Sequence, residues 1–149
     1  MKTTKNYFNY LFIALTLVFS ISLSSCSDDD ENVGSKNDLI GTWQCIHSEG
    51  YEKDNKYPED NDKWDEDYKN GYVITFNDDK TFNHEGEEGT WSLSGNKLTM
   101  NYKGYYEGED WTEVWKILEL NTNTFVFELH EKDSEGDFYT KETLKKISD

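Results

Sequence analysis

From residue 40 to the end of the chain, short stretches of alternating apolar and polar residues follow one another, separated by clusters of Asn, Asp and Gly. That pattern predicts a succession of β-strands joined by tight turns. Residues 40–47 form the first, with Trp43, Cys45 and His47 on one face. In residues 72–77, Tyr72, Ile74 and Phe76 alternate, and Asn77-Asp78-Asp79 turns the chain into residues 80–85. Residues 89–94 place Trp91 and Leu93 together. Gly95-Asn96 is a two-residue hairpin signal, because both residues tolerate positive φ. Beyond it, Leu98, Met100 and Tyr102 share one face while Lys97, Thr99, Asn101 and Lys103 share the other. Residues 111–120 are longer, and the Ile117-Leu118 pair breaks the alternation, which predicts a bulge or a strand buried on both faces. Residues 124–131 point Phe125, Phe127 and Leu129 inward, and residues 138–147 close the set.

No stretch carries a 3.6-residue apolar stripe longer than two turns, and the single proline, Pro58, falls outside every predicted strand. Short connections make successive strands antiparallel neighbours. The expected fold is therefore all-β, and an eight-stranded up-and-down sheet closes best into a barrel, which removes its edges. A two-sheet sandwich satisfies the same pattern.

The N-terminus reads as an address. Lys2 and Lys5 precede an apolar run over residues 10–23, too short to span a bilayer comfortably and the right length for a secretory leader. Leu23-Ser24-Ser25-Cys26 resembles the lipobox of bacterial lipoproteins, with Ser25 where Gly or Ala is more usual. The resemblance implies cleavage of residues 1–25 and a lipid on the Cys26 thiol. Ser27, Asp28, Asp29, Asp30 and Glu31 follow directly and resemble the export signal of surface lipoproteins of Bacteroidetes-type bacteria. That implies the outer membrane, facing the medium, although a solvated acidic segment has the same composition. Residues 26–37 lack apolar periodicity and read as a flexible tether, with the globular domain over 38–149.

Charge narrows the function. The 149 residues hold 31 acids and 15 lysines, with no arginine. Removing the leader leaves 13 lysines and a net charge of about −18. Nucleic acid is a poor partner for such a surface, because binding it requires cations that displace counterions. Two cysteines and three scattered histidines cannot build a closed four-ligand zinc site. Cys45 has no partner but the lipidated Cys26 and reads as a small buried hydrophobe.

A family resemblance covers nearly all of the predicted domain. Leu39-Ile40-Gly41-Thr42-Trp43 resembles the Gly-X-Trp opening of lipocalins. Residues 74–82 (ITFNDDKTF) and 89–99 (GTWSLSGNKLT), in that order, are closer still to the lipocalin-like domain of small Bacteroidetes lipoproteins. The resemblance implies an antiparallel barrel, usually with no assigned activity. Lipocalins proper pair the opening Trp with an Arg near the last strand, and this chain has no Arg; they also carry a helix after that strand, which has no counterpart before Asp149.

Residues 48–70 form the longest irregular stretch, and loops of that length in a compact domain are usually functional or disordered. The stretch holds Tyr51, Trp64 and Tyr68 and a run of acids. Asp60, Asp62, Asp65, Glu66 and Asp67 invite a calcium reading, but Asp65 and Gly71 stand where the EF-hand needs Gly and Glu. No metal is therefore expected, with calcium the one cofactor the acids leave open. Tyr105, Tyr106 and Trp111 sit among Glu107, Glu109 and Asp110, a combination that suits sugars, since rings cover apolar faces while carboxylates accept hydroxyl hydrogens. No catalytic motif stands out: there is no Gly-X-Ser-X-Gly, His-Glu-X-X-His or phosphate-cradling loop. His47, His84 and His130 fall on three different strands.

These features predict a non-enzymatic, lipid-anchored surface protein that binds a small, partly apolar molecule at one end of a barrel. Tyr51, Trp64 and Tyr68 would form the lid, and Tyr72, Leu98, Met100, Phe125 and Phe127 the inner wall. The alternative is a glycan- or protein-contacting module with a filled core, acting through Trp64, Tyr105, Tyr106 and Trp111.

Overall fold

The computed structural model describes residues 33–104, 106 and 108–149. The leader, Cys26, the acidic run Ser27, Asp28, Asp29, Asp30 and Glu31, and Tyr105 lie outside the described residues.

A short helix, α1 (Lys36–Leu39), precedes nine strands: β1 (Gly41–Asp54), β2 (Asp62–Asp67), β3 (Val73–Phe76), β4 (Thr81–His84), β5 (Glu87–Ser94), β6 (Lys97–Tyr102), β7 (Trp111–Leu120), β8 (Thr124–Lys132) and β9 (Gly136–Ser148). From β3 onward each pairs antiparallel with the next, and β9 pairs back onto β1. Eight strands thus close a barrel and β2 stands outside it as an added edge, which excludes the sandwich. The eight predicted strands correspond to these eight. Gly95, at φ 56°, opens the two-residue β5–β6 turn, and the register shift between Ile117 and Glu119 is the bulge that the broken alternation predicts.

The stretch over residues 48–70 is not irregular. β1 runs on to Asp54 and overshoots the barrel, offering an edge on which β2 pairs, from His47 opposite Asp67 to Glu52 opposite Asp62. Further back on the same edge β3 pairs with residues 41–44. β2 and β3 therefore lie end to end, separated only by residues 68–72. Five of the six residues of β2 are charged, so its own propensity is poor; pairing with β1 forms it, and its charges discourage a further strand from adding. Gly50 allows this hairpin to pack: a Cβ there would stand 2.5 Å from the Trp64 ring.

A second bulge, between Cys45 and His47 against β9, shifts the alternation by one residue. Cys45 and Ser48 face inward and are 1% and 5% exposed, while His47 turns outward. The expectation that His47 shares a face with Trp43 and Cys45 is thereby corrected.

One barrel end is closed by the chain preceding β1. Ser35 caps α1 through a reciprocal capping box with Asp38, Val33 accepts a 3.0 Å hydrogen bond from the Leu120 amide, and Leu39 is fully buried. Residues 33–37, read from sequence as part of the tether, thus pack on the barrel. The reason is local: a cap and two apolar residues suffice for one turn, too short to show a period. Above this plug the interior is filled by rings, with Trp43 edge-on to Phe125 at 5.7 Å and Phe76 edge-on to Trp91 at 5.9 Å. The Trp43 indole donates to the Leu39 carbonyl at 2.8 Å. Lys146 of the last strand lies over the Trp43 ring at 5.2 Å and donates to the Ile40 carbonyl at 2.7 Å, so a lysine supplies the cation for which the chain has no arginine. No helix among the described residues is long and apolar enough to cross a membrane.

Candidate functional site

The other end of the barrel differs in chemistry. Its rim carries the β4–β5 turn, the β6–β7 connection, the β8–β9 turn and the β1–β2 hairpin. Inward positions there change from aliphatic to aromatic and polar. On β9 the inward column runs Leu144, Glu142, Thr140, because Phe125, Phe127 and Leu129 of β8 stand opposite them. On β6 and β7, Tyr102 pairs with Trp111 and Met100 with Glu113.

Glu142 is the centre of this end. Its carboxylate accepts hydrogen bonds from the Tyr72 hydroxyl, from Thr140 Oγ1 at 3.3 Å and from the Cys45 thiol at 3.8 Å. Among the described residues no lysine pairs with it. Burial therefore raises its pKa above the usual carboxylate value, against the opposing effect of the hydrogen bonds. Burial, with Glu142 beside it, pushes the Cys45 thiol up to about 12 and raises the Tyr72 phenol as well. Cys45 is thus a protonated buried thiol and no nucleophile.

From Glu142 a continuous set of side chains crosses the barrel. The Tyr72 ring packs on His84 at 4.8 Å, and His84 Nδ1 shares a 3.1 Å hydrogen bond with the Tyr102 hydroxyl. Tyr102 stacks on Trp111, with centroids 4.6 Å apart and planes within 4°. Glu113 accepts from Trp115 Nε1 at 2.9 Å on one oxygen and from Trp111 Nε1 at 3.3 Å on the other, which fixes both indoles. At the rim, an open groove of about 470 Å³ is lined by Gly86, Glu87, Glu88, Lys103, Gly104, Glu109 and Trp111.

The sequence-predicted residues divide among several places. Tyr72 and Trp111 belong to this end. Leu98, Met100, Phe125 and Phe127 do face inward, but they are 0–2% exposed in the packed core, so a ligand reaches them only by displacing neighbours. Tyr51 stacks on Tyr139 at 5.6 Å and donates to Asp137 at 3.1 Å on the outside of the sheet. Trp64 packs against Phe138 at 5.9 Å and donates to Ser48 Oγ at 2.9 Å. Tyr68 donates to Glu66 at 3.3 Å. Strand-borne Tyr51 and Trp64 stand on opposite faces of the hairpin and form no common lid. Tyr106 is exposed on the β6–β7 connection. Strand alternation also divides the acids of the calcium reading: Asp62 and Glu66 face one way with Trp64, Asp65 and Asp67 the other, and Asp60 sits in the turn Pro58–Asp60.

Sequence reasoning passed over Glu142, Thr140, Glu113 and Trp115 as functional candidates and placed His84 only as one of three histidines on different strands. The alternation in Tyr139-Thr140-Lys141-Glu142-Thr143-Leu144 already puts Glu142 on the face of Leu144, a charge on an otherwise apolar column, and that is the signal that could have found it.

A second open groove, of about 610 Å³, crosses β4 to β7; Asn77, Thr81, Asn83, Thr90, Asn101, Asp110 and Thr112 supply most of its polar lining.

No protein with a curated description matches the chain. A family model described as a lipocalin-like domain matches residues 39–127, which run from the plug before β1 into β8; β9, which closes the barrel, lies beyond the matched span. The matched segment is more than half of the sequence and holds seven of the eight strands of the meander barrel: the chain belongs to the lipocalin-like domain family.

Proposed function

We propose that this chain is a lipid-anchored surface protein whose barrel holds a small, partly apolar molecule at its aromatic end, without catalysis. The observation that carries the reading is the contrast between the two ends. The plugged end is closed by packed rings, whereas at the other the half-buried Tyr72 and His84 and the exposed Trp111 stand beside the carboxylates Glu113 and Glu142, with Tyr102 and Trp115 buried behind them. Binding sites combine apolar and aromatic walls with a few placed polar groups, and this end has that composition. Rings would cover an apolar body, while Glu142 or Glu113 would accept a hydrogen from a hydroxyl or amine. Retention through purification tests it: native mass spectrometry of protein prepared without detergent is expected to show an added mass that leaves on denaturation.

The anchor would be a lipid on Cys26, and Ser27 to Glu31 would direct the protein to the outer face of the outer membrane. Replacing Asp28, Asp29, Asp30 and Glu31 with alanine is expected to leave the lipid in place and to remove the protein from whole-cell surface labelling. Unchanged labelling would reject the export signal.

The second reading, a glycan- or protein-contacting surface, has one observation in its favour. The 610 Å³ groove across β4 to β7 is rich in amide and hydroxyl side chains and is lined by Trp111 at one side.

A further inference from the structure

We propose that His47, Glu49 and Asp65, on the outside of the β1–β2 hairpin, hold a divalent transition-metal ion, with Asp67 orienting the imidazole. The site is independent of the ligand reading, since these side chains face away from the barrel interior. The antiparallel register sets Glu49 opposite Asp65 and His47 opposite Asp67, and the bulge after Cys45 turns His47 onto their face. Each of the three ligands then offers an atom within 4.8 Å of the others. Donors about 2.1 Å from a common ion stand roughly 3–4 Å apart, so small side-chain rotations complete the site.

The orientation of His47 is the feature that points to a metal. Its Nδ1 lies 2.9 Å from Asp67 Oδ1, and its Nε2 faces Asp65 Oδ1 at 3.6 Å. An imidazole that donates Nδ1–H to a carboxylate keeps a lone pair on Nε2 and a fixed ring plane, the arrangement that metal-binding histidines adopt. Nε2 is therefore directed at the place where two further carboxylates converge. Glu49 and Asp65 are like charges directly opposite one another, which is unfavourable on a bare sheet. Lys141 offsets part of this at Glu49 Oε1, 2.8 Å away, and leaves the second oxygen of that carboxylate for an ion.

The donor set decides the class of ion. Imidazole nitrogen with two carboxylates suits zinc, cobalt, nickel or copper, whereas calcium and magnesium prefer oxygen alone. Three protein donors on paired strands leave coordination positions for water.

Calorimetric titration of the untagged, chelator-stripped protein with Zn²⁺ tests the site. One ion per chain is expected. His47→Ala should abolish uptake, and Asp67→Asn, which keeps the side-chain shape, should weaken it ten- to a hundredfold. Asp62→Asn removes one charge from the opposite face of the same strand and should leave the affinity unchanged. Absence of saturable uptake would overturn the proposal. So would uptake indifferent to both His47→Ala and Asp67→Asn, or weakened as much by Asp62→Asn, which would mean attraction to overall negative charge.

Discussion

Replacing Trp43 by alanine is expected to remove about 3–5 kcal/mol of stability, the range for deleting a buried Trp side chain. Trp43 is fully buried and meets Phe125 edge-on at 5.7 Å. Its indole N–H reaches the Leu39 carbonyl at 2.8 Å, and Lys146 covers one ring face. One side chain therefore joins the plug, the first strand and the last, and its removal empties the place where the barrel closes. For a domain with a stability of about 5–15 kcal/mol the loss is a large share of the whole. Urea unfolding checks it: the midpoint should fall sharply with little change in slope. A loss below about 1 kcal/mol would contradict the packing described for this end.

The second large effect is a pH dependence at Glu142. Burial holds its carboxyl above the 4.5 of an ordinary glutamate, so the folded state binds this proton more tightly than the unfolded chain. Its stabilising contribution is then complete below about pH 4.5 and is lost as pH rises through the folded value. Glu142→Gln cannot titrate. The stability of the wild type relative to Glu142→Gln should fall as pH increases above 4.5, with a slope no steeper than about 1.4 kcal/mol per pH unit for one proton. Taking the difference cancels the other carboxylates, which both proteins share. Denaturant midpoints at intervals from pH 4 to pH 8 measure it, and parallel curves would contradict the raised carboxyl of Glu142.

Where the chain alternates cleanly, its strands were legible from sequence. β6 has Leu98, Met100 and Tyr102 buried, as the two-residue period requires, and the Ile117-Leu118 irregularity marks the β7 bulge. Legibility failed where long-range pairing overrides local signals. Ser48-Glu49-Gly50 opens the stretch that reads as irregular, yet Gly50 lies within β1 because Trp64 packs across it. Asp62-Lys63-Trp64-Asp65-Glu66-Asp67 lies in the same irregular stretch and is a strand because β1 extends beyond the barrel. The bulge at Cys45–His47 reverses the face of every later β1 residue, and nothing in the local sequence announces it. The aromatic end was legible only in part. Tyr72 and Trp111 stand out as residue types, but their assembly with His84, Tyr102, Glu113 and Glu142 depends on four strands, β4, β6, β7 and β9, and on the residue just before β3.

The inner-wall residues and the aromatic end differ in chemistry. Leu98, Met100 and Phe125 lie where interior rings touch one another and contribute stability by exclusion of water. Higher in the barrel, hydroxyl, carboxylate and imidazole groups occupy inward positions. A core built for stability alone would fill those positions with aliphatic residues, since polar groups are costly to bury.

Native mass spectrometry of two proteins purified side by side tests the binding claim most directly: wild type and Tyr72→Ala, which opens the aromatic end. With them goes Asn101→Ala, which alters only the outer groove. The predicted result is a co-purifying mass on the wild type and on Asn101→Ala that is lost from Tyr72→Ala. A mass kept by Tyr72→Ala and lost from Asn101→Ala, or a bare chain in every case, would contradict a ligand held at the aromatic end of the barrel.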